Sequence, residues 1–168
     1  MGIVYITGML KKIFAILLAC APLFAQDFLR DMEIGPQRFE VVEIARTPEQ
    51  KAQGLQGRKH LPDTAAMLFL SENPAPLVFW MKGTLIPLDA VFFDAEGRIL
   101  SVQTMAVEPP RKLQETESAY ERRLKRYSCL APVFAVLEIR AGLAAELGLK
   151  TGDVVPALAA QRLLPLLH

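Results

Sequence analysis

Phe79-Trp80-Met81-Lys82-Gly83-Thr84-Leu85-Ile86-Pro87-Leu88-Asp89-Ala90-Val91-Phe92-Phe93-Asp94-Ala95-Glu96-Gly97-Arg98-Ile99 is the stretch that decides how this chain folds. Side chains alternate along an extended chain, so across 77–82 Val78, Trp80 and Lys82 share one face and Phe79 and Met81 the other. Phe79 and Met81 read as core. Pro87 breaks the strand, and a second one runs from 88 to 94. Asp94-Ala95-Glu96-Gly97 is a turn with Gly at its end, so 98–107 returns as the antiparallel partner.

Working outward, 39–45 (F-E-V-V-E-I-A) alternates apolar and polar residues except at Val41-Val42, the pattern of a half-buried strand. Thr47-Pro48-Glu49-Gln50 starts a helix: Thr47 caps, Pro48 suits the first helical position, and Gln50 completes a capping box. Gly54 ends it. Residues 66–70 form a strand, 135–139 another, and 142–147 a short helix stopped by Gly148. Between them, 108–128 is charge-rich, with Leu113, Tyr120, Leu124 and Tyr127 at helical spacing. Many short strands, two brief helices and no strand-helix alternation exclude a doubly wound sheet. The expected fold is mainly β (α+β): a small, partly closed antiparallel or mixed β-barrel with short helical insertions, the alternative being an open antiparallel sheet covered by helices.

The 79–99 stretch resembles the motif F-W-M-K-N-T-x-I-P-L-D-x-x-F-x-D-x-x-G-x-I of the family called domain of unknown function 192. Gly54-Leu55-Gln56-Gly57-Arg58 followed by Leu61-Pro62 resembles its G-L-x-x-R motif and Leu-Pro turn. Ala66-Met67-Leu68-Phe69 resembles its G-M-L-F strand, with Ala66 where Gly is usual. If that position needs a positive φ the change is costly, and if it needs only a small side chain Ala serves. Val136-Leu137-Glu138 resembles its V-L-E motif, and Gly152-Asp153-Val154-Val155 its closing G-D-x-V turn. The matches span about 38–155. The resemblance implies no established activity, and it marks 108–128 as a lengthened, basic version of a loop that is usually shorter and Pro-rich.

A chain of 168 residues is one domain's worth. Lys11-Lys12 and the apolar run 13–21 have the form of a secretory signal, about half the length a membrane span requires. The expected organisation is a signal peptide at 1–25, with translation starting at Met9 as an alternative, a linker at 26–37, a single domain at 38–155 and a tail at 156–168. Cleavage after Ala25 would release a protein starting at Gln26; Leu17-Leu18-Ala19-Cys20 also resembles a lipobox, which would anchor the chain to a membrane through Cys20. The first outcome leaves Cys129 alone, with no intramolecular disulfide. Removing Lys11 and Lys12 from the 19 basic residues leaves 17 against 18 acidic, which gives no electrostatic case for nucleic acid.

Arg58, Trp80, Lys82, Thr84 and Asp89 are the expected ligand-binding set. Trp80 offers a stacking platform, the two cations would hold an anionic group, and Asp89 would take a hydroxyl. The competing reading has Trp80 as packing and Asp89 as a loop cap paired with Arg58 or Lys82. Glu43 and Glu138 each sit in an apolar strand; facing one another they could act as general acid and base, whereas the simpler expectation is that both face solvent. Cys129 and His60 lack the signature of a Cys-His hydrolase, and Cys129, His60 and His168 have no metal-ligand spacing. No phosphate loop, dinucleotide fingerprint or nucleophile elbow occurs, so no metal, cofactor or catalytic residue is assigned. The basic run from Arg111 to Arg126 reads as a solvated helix with its apolar side on the domain, or as a grip for an acidic partner.

These residues lead to an expected exported, non-catalytic binding or accessory module of the cell envelope, its ligand a small anionic or polyhydroxylated molecule. Two alternatives stand beside it. One is a hydrolase or transferase on an envelope polymer with Asp89 or Glu138 as general base; the other is a structural protein that docks a partner through the basic segment and the tail.

Overall fold

The computed structural model describes residues 27–167, so the expected signal peptide, Met9, Cys20, Gln26 and His168 lie outside it. In chain order the elements are β1 (Asp27–Leu29), β2 (Met32–Ile34), β3 (Gln37–Phe39), β4 (Val41–Ala45), α1 (Pro48–Gln53), β5 (Ala65–Phe79), β6 (Leu88–Phe93), β7 (Ile99–Met105), α2 (Glu117–Arg123), β8 (Tyr127–Arg140), α3 (Leu143–Glu146) and α4 (Ala160–Leu163). Single 3-10 turns lie at Pro156–Leu158 and Leu164–Leu167. The expected linker therefore carries β1, β2 and the start of β3.

Six strands form one mixed sheet in the order β1-β4-β5-β8-β6-β7, and β2-β3 is a separate hairpin. Only the β4-β5 pair is parallel, because α1 and the loop after it carry the chain back to the same end of the sheet. β6 and β7 form the hairpin expected from the 79–99 stretch, with Val91 opposite Val102. Its turn is closed by Gly97 N–H donating to Asp94 O and by Asp94 Oδ1 accepting from the Glu96 and Arg98 amides. Gly97 has φ +78°, and a Cβ there would lie 2.6 Å from Val155 O, so the turn requires glycine on two counts. The same glycine's carbonyl accepts from Val155 N–H at 2.8 Å, which docks the closing G-D-x-V turn on the hairpin.

β5 joins into one strand what the sequence divides into 66–70 and the first part of 77–82; it ends at Phe79, and Trp80, Met81 and Lys82 lie in the loop and turn that follow. Its register against β8 shifts between Leu70 and Ala75 and again before Leu77, around Pro74 and Pro76. Prolines cannot donate to a ladder and sit at such irregularities. Beyond them β5 and β8 continue as a two-stranded arm that returns over one face of the sheet. Phe79, at the arm's end, meets Phe69 and Phe92 edge-on, with ring centroids at 5.1 and 5.8 Å. The expected barrel is not closed by a ladder among the described residues: β1 and β7 remain edges.

Each face of the sheet has its own core. On the first, Val42, Leu68, Val91, Phe93 and Leu137 pack beneath the β2-β3 hairpin, α3 and the C-terminal segment. Leu158 and Leu163 are fully enclosed there, so the tail expected to lie outside the domain is part of its core. On the second face, Met67, Phe69, Ala90, Phe92 and Val136 meet Leu55, Leu61, Met81 and the arm residues Leu77, Phe79, Tyr127 and Cys129. Ala66 is buried and lies outside the positive-φ set, so a small side chain, and not a special backbone, is what its position needs.

Candidate functional site

The second face carries the polar groups of interest. Cross-strand pairing puts Glu43, Met67, Glu138 and Ala90 in one row across β4, β5, β8 and β6, with side chains on the same side. Both carboxylates are buried, so neither faces solvent as the simpler expectation has it. The sequence holds a signal for this: Ala135-Val136-Leu137-Glu138-Ile139 is apolar on both sides of the glutamate, the pattern of a strand covered on both faces.

Above this row lies a cavity of about 200 Å³ between the sheet, the loop after α1 and the arm. Leu55, Phe69, Leu77 and Phe79 give it apolar walls, and Glu138 lies at its floor. Glu138 is 4% exposed and has no hydrogen-bond or ionic partner among the described residues. Burial pushes its carboxyl up to about 8, so at neutral pH it is mostly an acid able to donate as well as accept. Among the described residues no buried side-chain oxygen or nitrogen is sealed off without a partner, so the free carboxyl oxygens reach the cavity.

Thr84 lines the same cavity, and its hydroxyl likewise has no partner among the described residues. A tight turn places it: Thr84 N–H donates to Met81 O, Gly83 has φ +66°, and Gly83 O accepts from Gly57 N–H at 2.9 Å. The turn after β5 is thereby pinned to the loop after α1. That loop starts from a well-formed helix end. Thr47 Oγ1 accepts from Gln50 N–H while Gln50 Oε1 accepts from Thr47 N–H, the capping box expected from the sequence, and Gly54 ends α1.

Trp80 and Lys82 also line the cavity. Lys82 Nζ lies 2.5 Å from both Glu117 and Glu121, and the hydrogen bond to Glu117 contributes most to raising its pKa. Trp80, 37% exposed, carries the Arg126 guanidinium 4.5 Å and Lys82 Nζ 5.5 Å from its ring centroid. The segment around α2 therefore straps the mouth. Much of the basic run is engaged by this strap, since Arg123 also pairs with Glu115 at 2.7 Å. Tyr120 and Leu124 are buried as the helical spacing implies, while Leu113 points fully into solvent.

The other two members of the expected set lie elsewhere. Arg58 pairs with Glu43, compensating that buried carboxylate. Asp89 ties β6 to β7 and α3: Oδ1 accepts from Thr104 Oγ1 at 2.7 Å, and Oδ2 accepts from the Gly142 and Ala144 amides at 2.8 and 3.1 Å. It caps α3, as the competing reading has it, though its partners are not Arg58 or Lys82. The structure thus brings together Trp80, Lys82 and Thr84, adds Glu138, and separates Asp89. Cys129 is buried while His60 is exposed, and no hydrogen bond joins them. No cluster of three metal-ligating side chains occurs among the described residues.

The fold and cavity define a mixed β-sheet domain in which a buried acid, Glu138, opens on a small cleft. The model of the family described as uncharacterized ACR, domain of unknown function 192, matches residues 31–157, and the chain belongs to that family. A protein of unknown function from Novosphingobium aromaticivorans DSM 12444 has a similar crystal structure, 37% identical, covering 70% of this chain and 74% of that one with a TM-score of 0.56. A second similar structure, from Sinorhizobium meliloti 1021, is of a protein provisionally described as a transcription regulator; it is 32% identical and covers 68% of this chain and 78% of that one, with a TM-score of 0.55. No curated protein matches.

Proposed function

We propose that this protein is an exported, non-catalytic binding module of the cell envelope, and that the cleft over Glu138 takes a small polyhydroxylated ligand. The observation that carries this reading is the free Glu138 carboxyl, buried at the floor of a cavity that also holds the free Thr84 hydroxyl. Buried polar groups are ordinarily satisfied within the fold. Two that open together on an apolar-walled cleft suit a ligand whose hydroxyls both donate and accept. An anionic ligand is disfavoured, because Lys82 is held by Glu117 and Glu121 and Arg58 by Glu43.

The test is a thermal-shift screen of monosaccharides and polyols against the wild type and Glu138→Leu. Leucine removes the polar group but fills the site, so the variant should melt at or above the wild-type temperature and lose ligand-induced stabilisation. Stabilisation that survives in Glu138→Leu would place the ligand elsewhere. The hydrolase or transferase alternative draws on the same residue, since an acid pushed up to about 8 suits proton transfer near neutral pH. It predicts turnover of an envelope glycan that Glu138→Gln abolishes while binding persists.

A further inference from the structure

A second cavity, of about 350 Å³, lies on the other side of the α1 C-terminus and shares Gln53 and Gly54 with the first. Glu43, Ala45, Glu49, Gln50 and Met67 line it. Both cavities have one physical origin. α1 lies over the second face of the sheet yet buries none of its own side chains, so helix and sheet do not close-pack and space remains between them. The capping box at Thr47 fixes the start of the helix, and beyond Gly54 Leu55 and Leu61 anchor its far end in the core.

The floors of the two cavities adjoin along the sheet. Glu43, Met67 and Glu138 are neighbours in one cross-strand row, so the two carboxyl-bearing residues stand two strand spacings apart, about 10 Å between backbones. Only Met67 separates them, and an unbranched thioether is among the easiest side chains to move aside. At one end Glu138 and Thr84 offer free polar groups. At the other, Arg58 bonds Glu43 Oε2, no hydrogen bond to Oε1 occurs among the described residues, and Gln53 adds an amide.

We propose that the two cavities are adjoining subsites of one groove roofed by α1, and that the ligand is a linear glycan of at least two sugar rings, one bonded at Glu138 and Thr84 and the next at Glu43. This rests on the polyhydroxylated-ligand reading above and adds a length to it. An extended peptide fits less well, because β4, β5 and β8 are internal strands and offer no open ladder for added backbone. Side-chain carboxyls and amides spaced along the floor suit hydroxyls spaced along a glycan.

The experiment is calorimetric titration of the protein with N-acetylglucosamine and its β-1,4-linked disaccharide, and with glucose and cellobiose, on the wild type, Glu138→Leu and Glu49→Trp. Glu49 is exposed on the first turn of α1, so a tryptophan there obstructs the second cavity without disturbing the core. A second subsite that adds one or two hydrogen bonds should tighten disaccharide binding by about tenfold over the matching monosaccharide. Glu49→Trp should reduce that preference to less than about twofold, and Glu138→Leu should abolish binding of both sugars. Equal affinity for mono- and disaccharide, or a preference that persists in Glu49→Trp, overturns the two-subsite inference while leaving a Glu138-dependent monosaccharide site intact. Absence of binding by all four sugars overturns both.

Discussion

Replacing Glu138 with Gln tests the state of the buried acid without a ligand. The folded protein keeps a proton on Glu138 up to pH about 8, whereas its ordinary value is 4.5. Between those values the folded state holds a proton that the unfolded state has released, so stability falls as pH rises through this window and levels off above it. At about 1.4 kcal/mol per pH unit the whole window corresponds to roughly 5 kcal/mol, an upper bound for a carboxyl shielded from all water. Because its oxygens reach a cavity, the expected loss lies below that bound, at about 4 kcal/mol. Gln has the same shape and no ionisation, so the variant's advantage should be about 1 kcal/mol at pH 5, half a unit above the ordinary value of 4.5, and reach about 4 kcal/mol at pH 8.5. Urea unfolding of both proteins at pH 5, 6, 7, 8 and 8.5 reads this directly, since the other titrating groups cancel in the difference. With a denaturant slope of about 1–3 kcal/mol per molar, the midpoints should separate by about 1 M or more at the alkaline end. Parallel stability curves, or a Gln variant that loses ground as pH rises, would refute the assignment of a buried, unpartnered acid.

Asp89→Asn should cost about 1–3 kcal/mol, because its two oxygens accept from Thr104, Gly142 and Ala144 and an amide keeps only one of them as an acceptor; an unchanged melting temperature would show that α3 does not depend on this cap. Gly97→Ala should be more damaging, by about 3 kcal/mol or more, since the added Cβ meets two backbone segments at a positive φ. Failure of the variant to fold, or a large drop in its denaturation midpoint, agrees with this, and near wild-type stability does not. Trp80 is the only tryptophan, so its fluorescence isolates the strap at the cavity mouth. Arg126→Ala should shift the emission to longer wavelength as the ring gains water, with a stability loss under about 1 kcal/mol; an unmoved spectrum would mean the guanidinium does not cover the ring.

Much of the fold was legible wherever the determinants are local. The Thr47–Gln50 capping box, the Gly97 turn with its hairpin, and the alternation that buries Met81 and exposes Val78 each depend on a few neighbouring residues. The candidate site was half legible. Trp80, Lys82 and Thr84 were expected together because they share one turn, and they line one cavity. Glu138 was visible as a carboxylate in an apolar run but not as the floor of that cavity. Its placement depends on which strands flank β8 and on an arm of β5 and β8 that folds back over it.

Asp89 shows the converse. It sits in the best-matched motif and close in sequence to Lys82, yet it is buried at the α3 cap. Apolar alternation, turn residues and caps in the sequence alone determined the local elements, the mainly β class and the membership of the 79–99 turn. Tertiary structure alone decided the strand order, the absorption of the tail into the core, the pairing of Arg58 with Glu43, and the row that links Glu43 to Glu138. The reason is physical. Turns and caps are set by backbone geometry within a few residues, whereas a carboxyl's role depends on what surrounds it, and residues far apart in the chain supply those surroundings.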